Sequence, residues 1–310
     1  MAETSIEWAT HTENYQSGCT KVSPACRNCY ALPMSVRIAN MGGADRYAHA
    51  TNGDLSSPQW SGTITSDLEA MRRIFRGLRA ARKPRRVFLN SMTDTFHADV
   101  PEEVLDELAA ELRTVPDKHV VMLLTKRPAR MLAWQRKHFP EGLPQTVWAG
   151  TTAEDQKRAD ERIPLLLQIK GPVRFLSMEP MVGPVTLIPS ALGGYPSSDE
   201  WSRRGSHLPE DQRIDWVIVG GESGRGARPM HPDWVRQLRD ECQAAGVPLH
   251  FKQWGEWLPK RQMSATTLGD LPDRVYTNRQ IIDGDQVFRV GKKEAGRQLD
   301  GRTWDEVPRA

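Results

Sequence analysis

Six short apolar runs, separated by stretches of helical periodicity, constrain this 310-residue chain more than any other feature. They fall at Arg86–Leu89, Val120–Leu124, Thr146–Trp148, Val173–Leu176, Trp216–Val219 and Leu249–Lys252. Each is too short for a helix and too continuously apolar for a half-exposed strand, so each predicts a strand buried on both faces. Between them, Pro101–Leu112 places Val104, Leu105, Leu108 and Leu112 on one helical face. Thr152-Ala153-Glu154-Asp155 has the form of a capping box, opening a helix that turns Ala159, Ile163 and Leu166 inward. His231–Ala245 carries Pro232 early, Trp234, Val235, Leu238 and Cys242 on one face, and Gly246 as a stop. Strands alternating with helices imply parallel pairing through right-handed crossovers, in an open sheet or a barrel.

The residues after each run choose between these. Asn90, Ser91, Thr93 and Asp94 follow the first, Thr125, Lys126 and Arg127 the second, and Gly150, Thr151 and Thr152 the third. Ser177 and Glu179, then Gly220, Gly221, Glu222 and Ser223, then Gln253 and Trp254 follow the rest, with Lys252 closing the last run. An open sheet concentrates its site at one switch point, whereas a barrel draws on many strand ends. The expectation is an α/β fold, a partial or closed parallel (β/α) barrel over 1–257 with a small β-containing extension over 258–310. Residues 189–214, rich in Pro, Gly, Ser and charge, predict a loop insertion. Within the extension, Arg274–Ile282 and Gln286–Val290 alternate around Asp283-Gly284-Asp285, as in a hairpin.

No apolar run approaches the roughly 20 residues that span a bilayer, and the acidic start Met1–Trp8 lacks the order of a secretory signal. A cytoplasmic protein without a membrane partner is expected. The net charge of +3 decides little, but residues 72–86 hold eight basic side chains and no acidic one. Leu68, Met71, Phe75 and Leu78 form the other face of a basic helix over 66–86, leaving the charges to solvent or to nucleic acid.

Four cysteines are present, and Cys19, Cys26 and Cys29 fall within eleven residues. Three clustered thiols cannot all pair with one another, so a metal or cluster site explains them better than disulfides. A structural zinc needs a fourth ligand, with His11 and His49 nearest in sequence, whereas a 4Fe-4S cluster held by three cysteines keeps one iron open. Cys242 shares the apolar face of Val235 and Leu238 and reads as core.

The segment Gly18-Cys19-Thr20-Lys21-Val22-Ser23-Pro24-Ala25-Cys26-Arg27-Asn28-Cys29-Tyr30-Ala31 resembles the signature of a phage-associated family of unknown function. Further matches run along nearly the whole chain: Asn90–Asp94, Leu124–Pro128, Leu176–Pro180, Gly220–Gly224, Phe251–Gly255 and Ala295–Arg302. That family is in turn radical-SAM-like, which implies a partial (β/α) barrel with the cluster in the loop after its first strand. The resemblance further implies two cofactors, a 4Fe-4S cluster on Cys19, Cys26 and Cys29 and S-adenosylmethionine chelated at the open iron. Reductive cleavage would then give a 5′-deoxyadenosyl radical that abstracts hydrogen from a substrate. Six residues separate the first two cysteines where the common radical-SAM motif has three, and Tyr30 follows the third cysteine rather than preceding it.

On that basis Asn90, Ser91, Asp94, Thr125, Lys126, Ser177, Glu179, Gly220, Gly221, Glu222 and Lys252 are the expected cofactor-binding residues. No residue is assigned to catalysis. The partners expected are an electron donor of flavodoxin or ferredoxin type and, through the basic helix, nucleic acid. The competing expectation is a non-catalytic, zinc-stabilised nucleic-acid-binding protein.

Overall fold

The computed structural model describes residues 2–42, 45–187, 189–192, 213–263 and 273–308. They divide between two compact units, 1–151 with 164–174 and 152–163 with 175–310. Seven strands follow in chain order: β1 (His11–Glu13), β2 (Arg86–Leu89), β3 (Val120–Thr125), β4 (Val147–Thr152), β5 (Val173–Met178), β6 (Trp216–Gly220) and β7 (Leu249–Gln253). The main helices are α1 (Ala31–Asn40), α2 (Leu68–Ala80), α3 (Glu102–Leu112), α4 (Pro128–His138), α5 (Gln156–Leu167) and α6 (Pro232–Ala245).

In the first unit β1, β2, β3 and β4 pair parallel, with His11 opposite Val87, Arg86 opposite Val120 and Val121 opposite Val147. In the second, β5, β6 and β7 pair parallel, with Phe175 opposite Trp216 and Val217 opposite Leu249. Parallel strands joined in chain order by crossover helices make a mixed α/β fold consistent with a partial (β/α) barrel. The strands are buried because both faces are covered: every residue of β4, β5 and β6 is buried.

All six strands expected from apolar runs form, most of them one to four residues longer at the carboxyl end. β1 has no such run; its three residues are half-buried and it gains strand identity from pairing with β2. The expected capping box at 152–155 does not form, because Thr152 completes β4 and Asp155 alone caps α5, accepting from Arg158 N at 2.8 Å. Helix α2 starts after Asp67, whose carboxylate accepts from Ala70 N at 2.8 Å, and stops at Ala80. Arg82, Lys83 and Arg85 therefore lie in the following loop and Arg86 opens β2, so the basic stretch of 66–86 is not one helix. Two of its arginines are neutralised: Arg72 reaches Glu107 and Glu69, and Arg79 reaches Glu111, each at 2.7 Å.

Residues 258–310 share the second unit with β5 to β7. The hairpin forms from β9 (Arg279–Ile282) and β10 (Asp285–Arg289), with β8 (Trp257–Pro259) on the outer side of β10. Residues 273–277 are a short helix rather than the start of a strand, which sets Tyr276 edge-on against Phe288. The C-terminal residues then close the edge of β7, where Phe251 N donates to Trp304 O and Leu249 N to a Glu306 carboxylate oxygen, both at 2.9 Å. Most of the expected 189–214 insertion lies outside the described residues.

Candidate metal and cofactor site

The first unit gathers the cysteines and the strand-end residues of β2 and β3. The loop after β1 turns at Gly18, whose φ of +86° belongs to glycine and where a Cβ would lie 1.9 Å from Thr63 O. Cys19 follows at once, Cys26 ends a short 3-10 turn, and Cys29 precedes α1 by two residues. All three are free thiols, Cys26 buried and the others half-buried.

Desolvation pushes the Cys19 thiol up to about 12, with Asp94, Cys29 and Cys26 adding to the rise and Arg127 opposing it. Cys29 is also raised by burial; Lys126 and the N–H groups of Ala31 and Leu32 pull it back. Cys19 and Cys29 thus each feel other cysteines and have a cation beside them, Arg127 and Lys126 respectively. Amide hydrogen bonds and cations are what sulfurs bound to a metal cluster attract.

A hydrogen-bond network ties this loop to the strand ends. The Asp94 carboxylate is buried and accepts from Thr125 Oγ1 at 2.6 Å, Arg127 Nη1 at 2.8 Å, Phe96 N at 3.0 Å and Lys126 N at 3.1 Å. Arg127 also donates to Thr20 Oγ1 at 2.9 Å, and Thr20 meets His97 Nε2 at 2.7 Å. The His97 pKa is lowered, first by burial and then by Arg127. Thr93 donates to Gly18 O, and Tyr30 donates to Ser91 O at 2.6 Å. Asn90 adopts a φ of 58° and anchors the turn from within, donating to Gln16 and Thr95 and accepting from Tyr15 N. Lys126 is the exception: its half-buried ammonium has no hydrogen-bond partner among the described residues.

Among the described residues, His231, Asp233 and Asp285 form the only group of three or more potential ligands whose atoms lie within 4.8 Å of one another. The three cysteine sulfurs do not form such a group. His11 bonds Thr10 and His49 is exposed, and neither completes a set with the cysteines. The His231 group itself is spanned by Arg261, which pairs with both Asp233 and Asp285, a role that spacing in sequence could not signal.

The second unit holds the remaining expected residues. Lys252 Nζ donates to Glu179 Oε1 at 2.6 Å, with both side chains largely buried. Gly220 leaves the Glu179 carboxyl room, since a Cβ would come within 3.2 Å of it. Gly221 permits a closer approach still: a Cβ there would lie 1.9 Å from Trp254 O. Glu222 is buried, and Arg228 holds both its oxygens, through Nη2 at 2.6 Å and Nε at 2.9 Å. Ser177 is buried and its carbonyl accepts from Ala153 N at 3.2 Å. Gln253 gives its amide N–H to Gly221 O at 2.9 Å, while its buried Oε1 has no partner. Cys242 is fully buried in α6 and its thiol is pushed up to about 12, as its apolar face predicts.

Neither the curated proteins nor the solved structures contain a match to this chain. One family model does match, across residues 3–308, and it is described only as a protein of unknown function. The chain belongs to that family, DUF5131.

Proposed function

We propose that this protein is a radical-SAM-like enzyme in which Cys19, Cys26 and Cys29 hold a 4Fe-4S cluster. A cluster held by three thiolates supplies an open iron for S-adenosylmethionine and the electron that cleaves its sulfonium. The observation that carries the reading is three free thiols gathered in one loop, with Cys19 beside Arg127 and Cys29 beside Lys126 and the amides of Ala31 and Leu32.

The chain's own groups have separable roles. Asp94 and Arg127 position the cysteine loop through Thr20. Lys126 offers an unpaired cation suited to a carboxylate. In the second unit, the free Oε1 of Gln253 suits an amino or hydroxyl donor, and Glu222 acts through Arg228 rather than on a ligand.

Anaerobic reconstitution tests this. The expected product is a brown protein absorbing near about 400 nm with about four iron and four sulfide per chain, which releases 5′-deoxyadenosine from S-adenosylmethionine on reduction. A colourless protein with one tight zinc under the same handling would refute it.

A second reading concerns the substrate or partner. Arg73, Arg76, Arg82 and Lys83 are exposed and form no ion pair among the described residues, so a phosphate backbone fits that surface.

A further inference from the structure

His231 caps α6, Asp233 stands in its first turn and Asp285 begins β10, so two distant parts of the chain bring one imidazole and two carboxylates together. One ligand atom from each lies within 4.8 Å of the others. Acidic side chains gather on many surfaces, and the cluster alone signifies little. The histidine adds a second observation. Its side chain is 6% exposed, and its buried Nε2, 3.2 Å from Asp285 Oδ2, makes no hydrogen bond among the described residues. A buried ring nitrogen without a partner costs free energy, which a group that engages it would recover.

The carboxylates show what kind of group that is. A single nitrogen of Arg261, Nη2, donates to Asp233 Oδ2 at 2.9 Å and also to Asp285 Oδ2. It occupies the place of a cation between two anionic oxygens. Asp233 Oδ1 is engaged by Arg236 at 2.7 Å, which leaves Oδ2 to the cluster. The Arg261 side chain is half-exposed and free to swing out. Gln262 beside it exchanges two hydrogen bonds with Asp300, at 2.7 and 2.8 Å, so the turn stays anchored when the guanidinium leaves.

We infer that His231, Asp233 and Asp285 form a site for a divalent transition-metal ion, with Arg261 as the resident cation that the ion displaces. One imidazole and two carboxylates suit manganese or zinc, and the half-exposed side of Asp233 leaves coordination positions for water. The ring proton relocates as the ion enters. Asp233 N donates to Nδ1 at 3.1 Å, which puts the proton of the neutral imidazole on Nε2. Binding moves that proton to Nδ1, where it faces the Asp233 carboxylate 4.0 Å away, and gives the Nε2 lone pair to the ion. The helix loses one capping bond and gains a clip to the hairpin, all within the second unit. The site stands apart from the cysteine loop and does not rest on the cluster reading.

The test is a titration of the full, metal-free chain with Mn2+, read by loss of the free ion's electron paramagnetic resonance signal, alongside thermal unfolding. Manganese is the probe because it favours nitrogen and oxygen donors over the thiolates of Cys19, Cys26 and Cys29. One ion per chain should bind and raise the unfolding midpoint. Asp285→Asn and His231→Asn should each weaken binding by about tenfold or more, and His231→Asn keeps a capping side chain, so its circular dichroism should match wild type. Arg261→Ala should do the opposite and tighten binding by about tenfold, because the resident cation no longer competes. A bridge with only a structural role predicts no such gain. Absence of Mn2+ binding in both wild type and Arg261→Ala would overturn the site, as would binding that Asp285→Asn and His231→Asn leave unchanged. Cys26→Ala should bind Mn2+ as wild type does; loss there would assign the ion to the cysteine loop instead.

Discussion

Arg127 donates to the Asp94 carboxylate at 2.8 Å and, through its other nitrogen, to Thr20 beside Cys19. One guanidinium thereby joins the end of β3 to the turn after β2 and to the cysteine loop. Both side chains of the pair are largely buried, 15% and 8% exposed, so removing one partner strands a charge. Asp94→Ala should cost about 3 kcal/mol in urea unfolding of the metal-free protein and lower iron content after reconstitution. Arg127→Lys keeps the charge and loses the fork, so its iron content should fall between the two. Iron content equal to wild type in both variants would detach this pair from the cysteine loop.

Gly18 sets the position of Cys19 by a different means. A Cβ there meets Thr63 O at 1.9 Å and the φ of +86° strains any L side chain. Gly18→Ala should displace the loop, so that iron binding drops severalfold while far-ultraviolet dichroism, dominated by α2 to α6, stays close to wild type. Full iron loading in this variant would show that the loop tolerates the shift.

The contrast between these residues shows what sequence could reveal. Strands β2 to β7 were legible because burial on both faces writes itself as continuous apolar runs, and α6 because Pro232 and Gly246 punctuate it. β1 was not, since three half-buried residues carry no period. At the site, cysteine spacing announced the thiols, but nothing in Thr20 signals that Arg127 links it to Asp94 or that His97 meets it. Such partners are far apart in the chain, 107 residues for Arg127 and Thr20, and only the fold brings them together. Asp94 and Glu222 look alike as strand-end carboxylates, yet both are consumed by internal partners, which residue type alone cannot tell.

The raised thiols make a pH prediction. Burial holds Cys19 and Cys242 at about 12 against an ordinary 9, so the folded state keeps protons that the unfolded state releases. Their contribution is fully present below pH 9 and lost as pH rises through 9 toward 12. Metal-free protein should lose at most about 1.4 kcal/mol per pH unit for each such thiol across that window. Cys242→Ala should flatten the slope without altering iron loading, whereas Cys26→Ala should abolish the loading. Iron binding itself should strengthen as pH rises from 6 to 9, because each thiol must release its proton to bind. Loading independent of pH would argue against thiolate ligation.

The C-terminal tail is a structural part of the second unit. Trp216 Nε1 donates to Glu306 O at 2.9 Å, and Leu249 and Phe251 give their amides to Glu306 and Trp304. Truncation after Gly296 would expose the β7 edge and remove the Glu306 carbonyl to which the buried Trp216 donates. The shortened chain should aggregate or lose several kcal/mol in chemical denaturation. Wild-type stability would mean that other groups can satisfy those donors.

The basic stretch divides into paired and unpaired charges, and the division predicts how it behaves toward nucleic acid. Arg72 and Arg79 are committed to acids of α2 and α3, so replacing Arg72 by Ala should perturb helix packing and leave nucleic-acid affinity nearly unchanged. Arg76 and Lys83 are exposed and unpaired. Arg76→Glu with Lys83→Glu should weaken binding to a DNA duplex uniformly across sequences and reduce the slope of log affinity against log salt by about two units, near one per cation lost. Were the slope and affinity the same as wild type, the stretch would be a solvated outer surface, and its charge would serve only to pair α2 with α3.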